Sequence, residues 1–291
     1  MSPLTAFLRS LRPRQWTKNV LVLGAPLMAG RLAEGEVAVA TLLAFVAFCA
    51  AASGVYLVND VLDVEADRAH PRKRLRPVAS GALGVRTALV AGVALQVVAV
   101  GIGWAATPEL AAVVAIYVVL FLGYSVALKH EPVIDIAIIA AGFLLRAIAG
   151  GVATGIPLSQ WYLLCATFGS LFMAAGKRYA EIHLESTSPG EVRRSLTRYT
   201  VTYLRFVWTM SAGLLIMSYS LWAFEIDAAA DGSALTVISI APFGLAVLRY
   251  AYAVDAHAAG EPEDIALRDH VLQILAAAWV LLAAGAVYLG R

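Results

Sequence analysis

Long apolar runs separated by short polar stretches set the pattern of this chain. A bilayer core takes about 20 apolar residues per helix. Nine stretches reach that length or nearly so: roughly 19–33, 37–58, 85–105, 109–128, 133–153, 158–177, 200–224, 234–254 and 270–289. They predict an all-α fold, a polytopic bundle of nine transmembrane helices forming a single domain over 1–291. The first stretch is the weakest, being short and holding Gly24 and Pro26. It reads as an uncleaved span rather than a signal peptide, because Trp16-Thr17-Lys18-Asn19 runs into it without a break. An amphipathic arm of about 1–18 precedes it, and the longer polar segments are about 59–84, 178–199 and 255–269.

Composition agrees: 60% of residues are hydrophobic and 14% charged, against about half and about a quarter in soluble domains. Net charge is only +2, so the placement of charge is what informs. With the N-terminus in the cytoplasm, 17 of the 22 Lys and Arg fall in inner segments and two, Arg31 and Arg291, in outer ones. That is a positive-inside pattern. Trp104, Trp161 and Trp222 then mark outer ends and Trp16 an inner end. Expected localisation is the plasma membrane, multi-pass, with the N-terminus and any active site cytoplasmic. Cys49 and Cys165 lie in apolar runs and read as small buried hydrophobes rather than a disulfide.

The densest chemistry is residues 59–76, NDVLDVEADRAHPRKRLR, directly after an apolar run. Asp60, Asp63 and Asp67 are spaced three and four apart, which puts them on one face of a helix. With Asn59 they offer hard oxygen ligands suited to Mg²⁺, which usually takes one or two carboxylates plus substrate phosphates. Arg72, Lys73, Arg74 and Arg76 follow as phosphate ligands. The bland alternative is a solvated loop in which Arg68 and Arg72 neutralise the acids. A second group, Lys177, Arg178, Glu181 and Glu185 in GKRYAEIHLE, joins phosphate ligands to two acids; the alternative is membrane anchoring, and it is the better reading of Glu185. A third, Tyr124 and Lys129 with Asp135, has a carboxylate just inside a span, where Lys129 or Arg178 is the expected partner. Lys18 and Asn19, in RPRQWTKN, sit where a lipid head group lies or where an interfacial anchor is needed. Arg146 falls within a span and must find a partner, a lipid phosphate or a structural tie. Glu261, Glu263, Asp264 and Asp269 make the last inner loop acidic. No HExxH, P-loop or G-x-S-x-G motif is present.

These residues carry a resemblance. The run Asn59-Asp60-x-x-Asp63-x-x-x-Asp67, nine spans and polar cytoplasmic loops resemble the UbiA-type intramembrane prenyltransferase superfamily along essentially the whole chain. RPRQWTKN, FLLRAIAGGVATGIPLSQW, FGSLFMAAGKRYAE and EPEDIALRD resemble its actinobacterial phosphoribosyltransferase branch. The resemblance implies transfer of 5-phosphoribosyl from phosphoribosyl diphosphate (PRPP) to decaprenyl phosphate, releasing pyrophosphate, toward the arabinan donor of the cell wall. It implies Mg²⁺ as cofactor, held by Asn59, Asp60, Asp63 and Asp67, the three acids being catalytic. PRPP, decaprenyl phosphate and membrane lipid are the implied partners; nucleic acid is not among them, and a homo-oligomer is plausible. Lys73, Arg74 and Arg76 are candidates for the ribose 5-phosphate or the diphosphate, and Lys129, Lys177 and Arg178 for phosphates of either substrate.

One departure bears on the substrate. Members that use prenyl diphosphates carry a second D-x-x-x-D motif, and here that position reads Glu181-x-x-x-Glu185. Two other functions remain open at this stage: prenyl transfer to an aromatic acceptor, and secondary transport, against which polar residues crowd one membrane face.

Overall fold

The computed structural model describes residues 2–185, 199–229, 234–257 and 268–289, and among them every regular element is helical. Backbone packing divides the chain into two compact units. The first comprises Met1–Pro26, Leu32–Lys129 and Leu145–Pro157; the second comprises Leu27–Arg31, His130–Leu144 and Leu158–Arg291.

The first unit opens with α1 (Pro3–Ser10), where Ser2 Oγ accepts the Thr5 N–H at 3.2 Å and Pro3 takes a first-turn position that needs no donor. A 3-10 helix, Pro13–Leu23, and the short α2 (Gly24–Met28) follow. The long α3 (Gly35–Leu62) packs against that 3-10 helix, α5 (Val85–Ala106) and α6 (Pro108–Val126). Between α3 and α5 lie α4 (Val64–Ala69) and a 3-10 turn, Lys73–Leu75. Small residues let α3 and α5 touch: a Cβ at Gly54 would sit 2.6 Å from the Gly92 carbonyl oxygen. Thr107 caps α6 by accepting the Leu110 N–H at 3.0 Å. The core here joins Val22, Phe48, Leu110 and Tyr117 to a run of alanines on α3.

α7 (Ile134–Thr154) begins in the second unit and ends in the first. The second unit continues with α8 (Gln160–Glu185), α9 (Val201–Ala229), α10 (Leu235–His257) and α11 (His270–Leu289). α8 packs on α9, and α10 packs on α9 and α11. Its core stacks Trp208 between Phe172 and Tyr179, with ring centroids 5.8 and 5.2 Å away. Large apolar side chains such as Val119 (70%) and Leu281 (73%) remain exposed, as on helices that face lipid.

Seven described helices, α3, α5, α6, α7, α9, α10 and α11, are long and apolar enough to cross a membrane. They correspond to seven of the nine expected spans. The expected span 158–177 lies inside the 26-residue α8, whose polar end carries Lys177, Arg178 and Glu181. The expected span 19–33 differs. It is the end of a 3-10 helix followed by five α-helical residues, Gly24–Met28, in whose first turn Pro26 is tolerated, and Gly30 turns the chain at φ 65° just beyond.

Candidate functional site

Residues 59–76 do not form one helix. α3 ends at Leu62, and Asp63 leaves helical geometry at φ −95° and ψ 7° before α4 begins. Hydrogen bonds of helical spacing still cross the bend, from Asp63 N–H to Asn59 at 2.9 Å and from Asp67 N–H to Asp63 at 2.8 Å. The expected single face is therefore corrected. Asp60 and Asp67 converge while Asp63 turns elsewhere. Arg76 Nη1 donates to Asp67 Oδ2 at 2.7 Å and to Asp60 Oδ1 at 3.2 Å, bridging the two buried carboxylates. Asp63 accepts from Lys129 Nζ at 2.5 Å and from Asn59 Nδ2 at 3.2 Å. Arg68, offered with Arg72 as a neutralising partner, pairs with Glu65 at 2.7 Å.

Arg12, which counted only as inner-face charge in the sequence, donates to Asp60 Oδ1 at 2.5 Å and lies 4.7 Å over the Tyr56 ring. Its backbone is left-handed, φ 53° and ψ 59°. For a non-glycine residue that costs on the order of 1–3 kcal/mol and persists only where surroundings impose it. Here a clamp does so: Trp16 Nε1 donates to Ser53 Oγ at 3.1 Å, and that hydroxyl donates to the Leu11 carbonyl at 3.0 Å. The signal in the sequence was the position of Arg12 at the head of RPRQWTKN, directly before Pro13.

Three acids thus meet three bases within the first unit. Among the described residues, no three His, Cys, Asp or Glu groups lie close enough to hold a cation alone. The donor set nonetheless fits Mg²⁺. Asp60 and Asp67 already share one cationic nitrogen, and Mg²⁺ usually completes its shell with phosphate oxygens and water rather than an all-protein cage.

Other candidates distribute as follows. Lys18 Nζ donates to Gln15 Oε1 at 2.5 Å. Asn19, expected at the interface, is fully buried: its Oδ1 accepts from Arg146 Nε at 2.7 Å and its Nδ2 donates to Cys49 Sγ. Arg146 also donates to the Tyr117 hydroxyl at 3.0 Å and lies 4.8 Å over that ring, so within this unit it ties helices together. Cys49 and Cys165 are both free; Cys165 is only half-buried. Arg72 and Lys73 donate their backbone N–H groups to His70 Nδ1, which shapes the turn that also carries Arg74. Tyr124 packs on Phe121.

In the second unit Asp135 chooses Arg178. Its two oxygens accept from Nε at 2.7 Å and Nη2 at 2.8 Å, a fork in which both side chains are 1% exposed. Arg178 Nη1 donates to Glu181 at 2.5 Å, so all three guanidinium nitrogens serve carboxylates. Lys177, beside it, is half-buried. Val133 precedes this helix with φ 69°, its N–H held by the Tyr199 hydroxyl at 2.6 Å. Burial pushes the Tyr199 phenol up, and the Val133 bond opposes it. Tyr199 escaped the sequence reading, as did the Tyr179 hydroxyl that accepts from Arg205 and donates to Asp255. The Glu185 side chain and residues Glu261, Glu263 and Asp264 lie outside the described residues. Asp269 is described: its Oδ1 accepts the Leu272 N–H at 3.0 Å at the start of α11, and its Oδ2 accepts from Arg249 at 2.8 Å.

Known proteins resemble this chain closely. The UbiA prenyltransferase family matches residues 20–268. The decaprenyl-phosphate phosphoribosyltransferase of Corynebacterium glutamicum is 53% identical over 287 residues, covering 97% of this chain and 86% of that protein. Its counterpart in Mycobacterium tuberculosis is 53% identical over 286 residues, covering 97% and 94%. Among solved structures, a UbiA homologue of Archaeoglobus fulgidus bound to GPP and Mg²⁺ superposes with a TM-score of 0.68 at 18% identity, over 97% of this chain and 99% of that one. At that identity the likeness concerns the fold.

Proposed function

This chain belongs to the UbiA prenyltransferase family, and from that premise we propose that it transfers 5-phosphoribosyl from PRPP to decaprenyl phosphate. The observation that carries the reading is the interleaving of Asp60, Asp63 and Asp67 with Arg12, Arg76 and Lys129. A cluster that pairs acids with bases can accept a metal-bound diphosphate. The near-full-length identity to two phosphoribosyltransferases supports a sugar diphosphate, and so does Glu181 where prenyl-diphosphate users have aspartate. The charge distribution supports a cytoplasmic site, where PRPP is available.

In this scheme Asp60 and Asp67 would hold Mg²⁺, joined by Asp63 and Asn59 once Lys129 leaves Asp63 for a phosphate oxygen. When bound, the metal neutralises charge that builds on the leaving pyrophosphate. The chain's own residues position the reactants. The basic turn Arg72–Arg76 takes the donor's phosphates, and Lys129 takes a phosphate oxygen as it gives up Asp63. A decaprenyl phosphate oxygen attacks the anomeric carbon and forms the new C–O bond. The bond from that carbon to the diphosphate breaks, and its electron pair leaves with pyrophosphate. Positive charge builds on the ribosyl ring, as in glycosyl transfer generally, and inversion results. The attacking oxygen is already anionic near neutral pH, so no general base is needed. What remains for the protein is orientation and electrostatic stabilisation. The Asp135–Arg178 fork is a structural tie in this scheme.

The test is product analysis with purified protein, labelled PRPP, decaprenyl phosphate and Mg²⁺. A lipid-linked phosphoribosyl product is expected. Asp60→Asn and Asp63→Asn should each lower turnover at least about a hundredfold, the scale of losing a metal-held or charge-stabilising group. Near-normal turnover in both variants, or a prenylated aromatic product from polyprenyl diphosphate instead, overturns the reading.

A further inference from the structure

Beside Asp60 lies a cavity of about 270 Å³ with an unusual wall. Arg9, Arg12, Arg72 and Arg76 line it with the single carboxylate of Asp60 and the buried Ser10. Four guanidinium charges therefore surround one negative charge. Segments far apart in sequence deliver them: the last turn of α1, the strained residue after it, and the two flanks of the Lys73–Leu75 turn.

The wall is also held in place. Ala6 on α1 is fully buried in a cluster with Leu57, Val78 and Leu83, which docks the helix that carries Arg9. The Trp16–Ser53–Leu11 clamp fixes the chain on either side of Arg12. Arg12 in turn keeps a left-handed backbone that an arginine adopts only when its surroundings require it. A merely solvated basic loop needs none of this.

Guanidinium groups converging on a water-accessible cavity recognise a compact oxyanion, and their planar forks match phosphate oxygens two at a time. The cavity has room for a phosphate and part of a pentose. Its apolar lining is confined to Leu75 and Pro77, too little for a polyprenyl chain. Asp60, on its rim, belongs to the proposed metal–diphosphate site, so a ligand here is contiguous with a donor bound there. We infer that this cavity binds the 5-phosphate of the donor and makes the enzyme select a phosphorylated ribosyl diphosphate over an unphosphorylated one. The inference rests on the donor reading above. It adds Arg9 and Arg12 from the N-terminal arm to the donor site and moves the 5-phosphate away from Lys73 and Arg74.

The test compares two donors, PRPP and α-D-ribose 1-diphosphate, with full-length protein, decaprenyl phosphate and Mg²⁺. Wild type should prefer PRPP strongly in kcat/KM. Arg9→Ala and Arg72→Ala, both at exposed positions, should raise the KM for PRPP roughly tenfold to a hundredfold, the scale of one charge-assisted hydrogen bond. The preference for PRPP should shrink by the same factor. Arg9→Lys should fall between, keeping the charge without the fork. Inorganic phosphate should compete with PRPP in wild type and less well in Arg9→Ala. An undiminished preference in both alanine variants overturns the inference. So does a raised KM for decaprenyl phosphate in place of PRPP, which would give the cavity to the lipid phosphate. Absence of any phosphoribosyl product from wild type would instead sink the donor reading itself, an outcome separable from these.

Discussion

Asp135→Asn removes one charge from an ion pair whose side chains are each 1% exposed. The carboxylate uses both oxygens on Arg178, at 2.7 and 2.8 Å, so the amide would turn an N–H group toward a guanidinium that has no acceptor role. Taking one partner from a buried pair costs about 3–5 kcal/mol, because the other charge stays desolvated. Glu181 keeps its bond to Arg178 Nη1 and offsets part of that, which puts the loss near the lower end, about 3 kcal/mol. For a chain of this size each kcal/mol moves Tm by about 2–4 °C, so Asp135→Asn should melt roughly 6–12 °C early. Intrinsic fluorescence of the purified protein, parent and variant in the same detergent, reads this directly. The double variant Asp135→Leu with Arg178→Met replaces the pair by apolar side chains and should recover most of the loss, since such swaps are often neutral. Turnover should return with Tm, because all three guanidinium nitrogens are already engaged with carboxylates. A single variant that melts within about 1–2 °C of the parent, a double variant that loses the sum of two single losses, or restored melting without turnover would each refute the structural-tie argument.

Gly54→Val should separate α3 from α5, since the new Cβ meets the Gly92 carbonyl at 2.6 Å and Gln96 Cγ at 2.8 Å. Overpacking of that kind costs about 1–3 kcal/mol or more, and the yield of monodisperse protein should drop. Gly101→Ala, with nothing within 4 Å, is the matched control and should be neutral or stabilising. Asp269 predicts a pH dependence. The Leu272 N–H first, then Arg249, holds its carboxyl below the usual range. A depressed folded-state value contributes stability above the unfolded value of about 3.9 and loses it as pH falls through the lower folded value. The melting gap between parent and Asp269→Ala should therefore be full at pH 6 and close below about pH 4; a gap that persists unchanged in acid would count against the cap.

What was legible in the sequence follows from the solvent. In lipid, backbone groups must be satisfied within the segment, so apolar runs of sufficient length have to be helices; α3, α5, α6, α7, α9, α10 and α11 lie where those runs lie. Local breaks were less legible. Spacing put Asp60, Asp63 and Asp67 on one face, but Asp63 leaves the helix, and its partner Lys129 is 66 residues away. Arg12 stood out only as the head of RPRQWTKN: its part in the site depends on a hydroxyl, Ser53, that looks like any small residue of a packed span. For Asp135 the sequence left Lys129 and Arg178 open, and only tertiary placement decides for Arg178. Tyr199 and Tyr179 were invisible because a phenol can accept or donate wherever the chain brings it.

The charge balance of the first unit carries one more consequence. Asp60, Asp63 and Asp67 bring three negative charges, and Arg12, Arg76 and Lys129 bring three positive ones. A divalent cation arriving alone must compete with three tethered bases. A diphosphate arriving alone must compete with three tethered acids. Arriving together, on the proposed reading, they allow an exchange: bases pass to phosphate oxygens, acids pass to the metal, and no charge is left desolvated without a partner. Metal and donor affinities should therefore be positively coupled, and by linkage the factor must be the same in both directions. Coupling of about 1–3 kcal/mol, or about 5- to 150-fold, is the usual range. Calorimetric titration of Mg²⁺ with and without a non-reactive PRPP analogue measures it, and the reverse titration must return the same factor. Arg76→Gln, by removing the base that bridges two of the acids, should strengthen Mg²⁺ binding in the absence of donor and reduce the coupling. Mg²⁺ affinity indifferent to the analogue in wild type would mean that these acids and bases do not exchange partners.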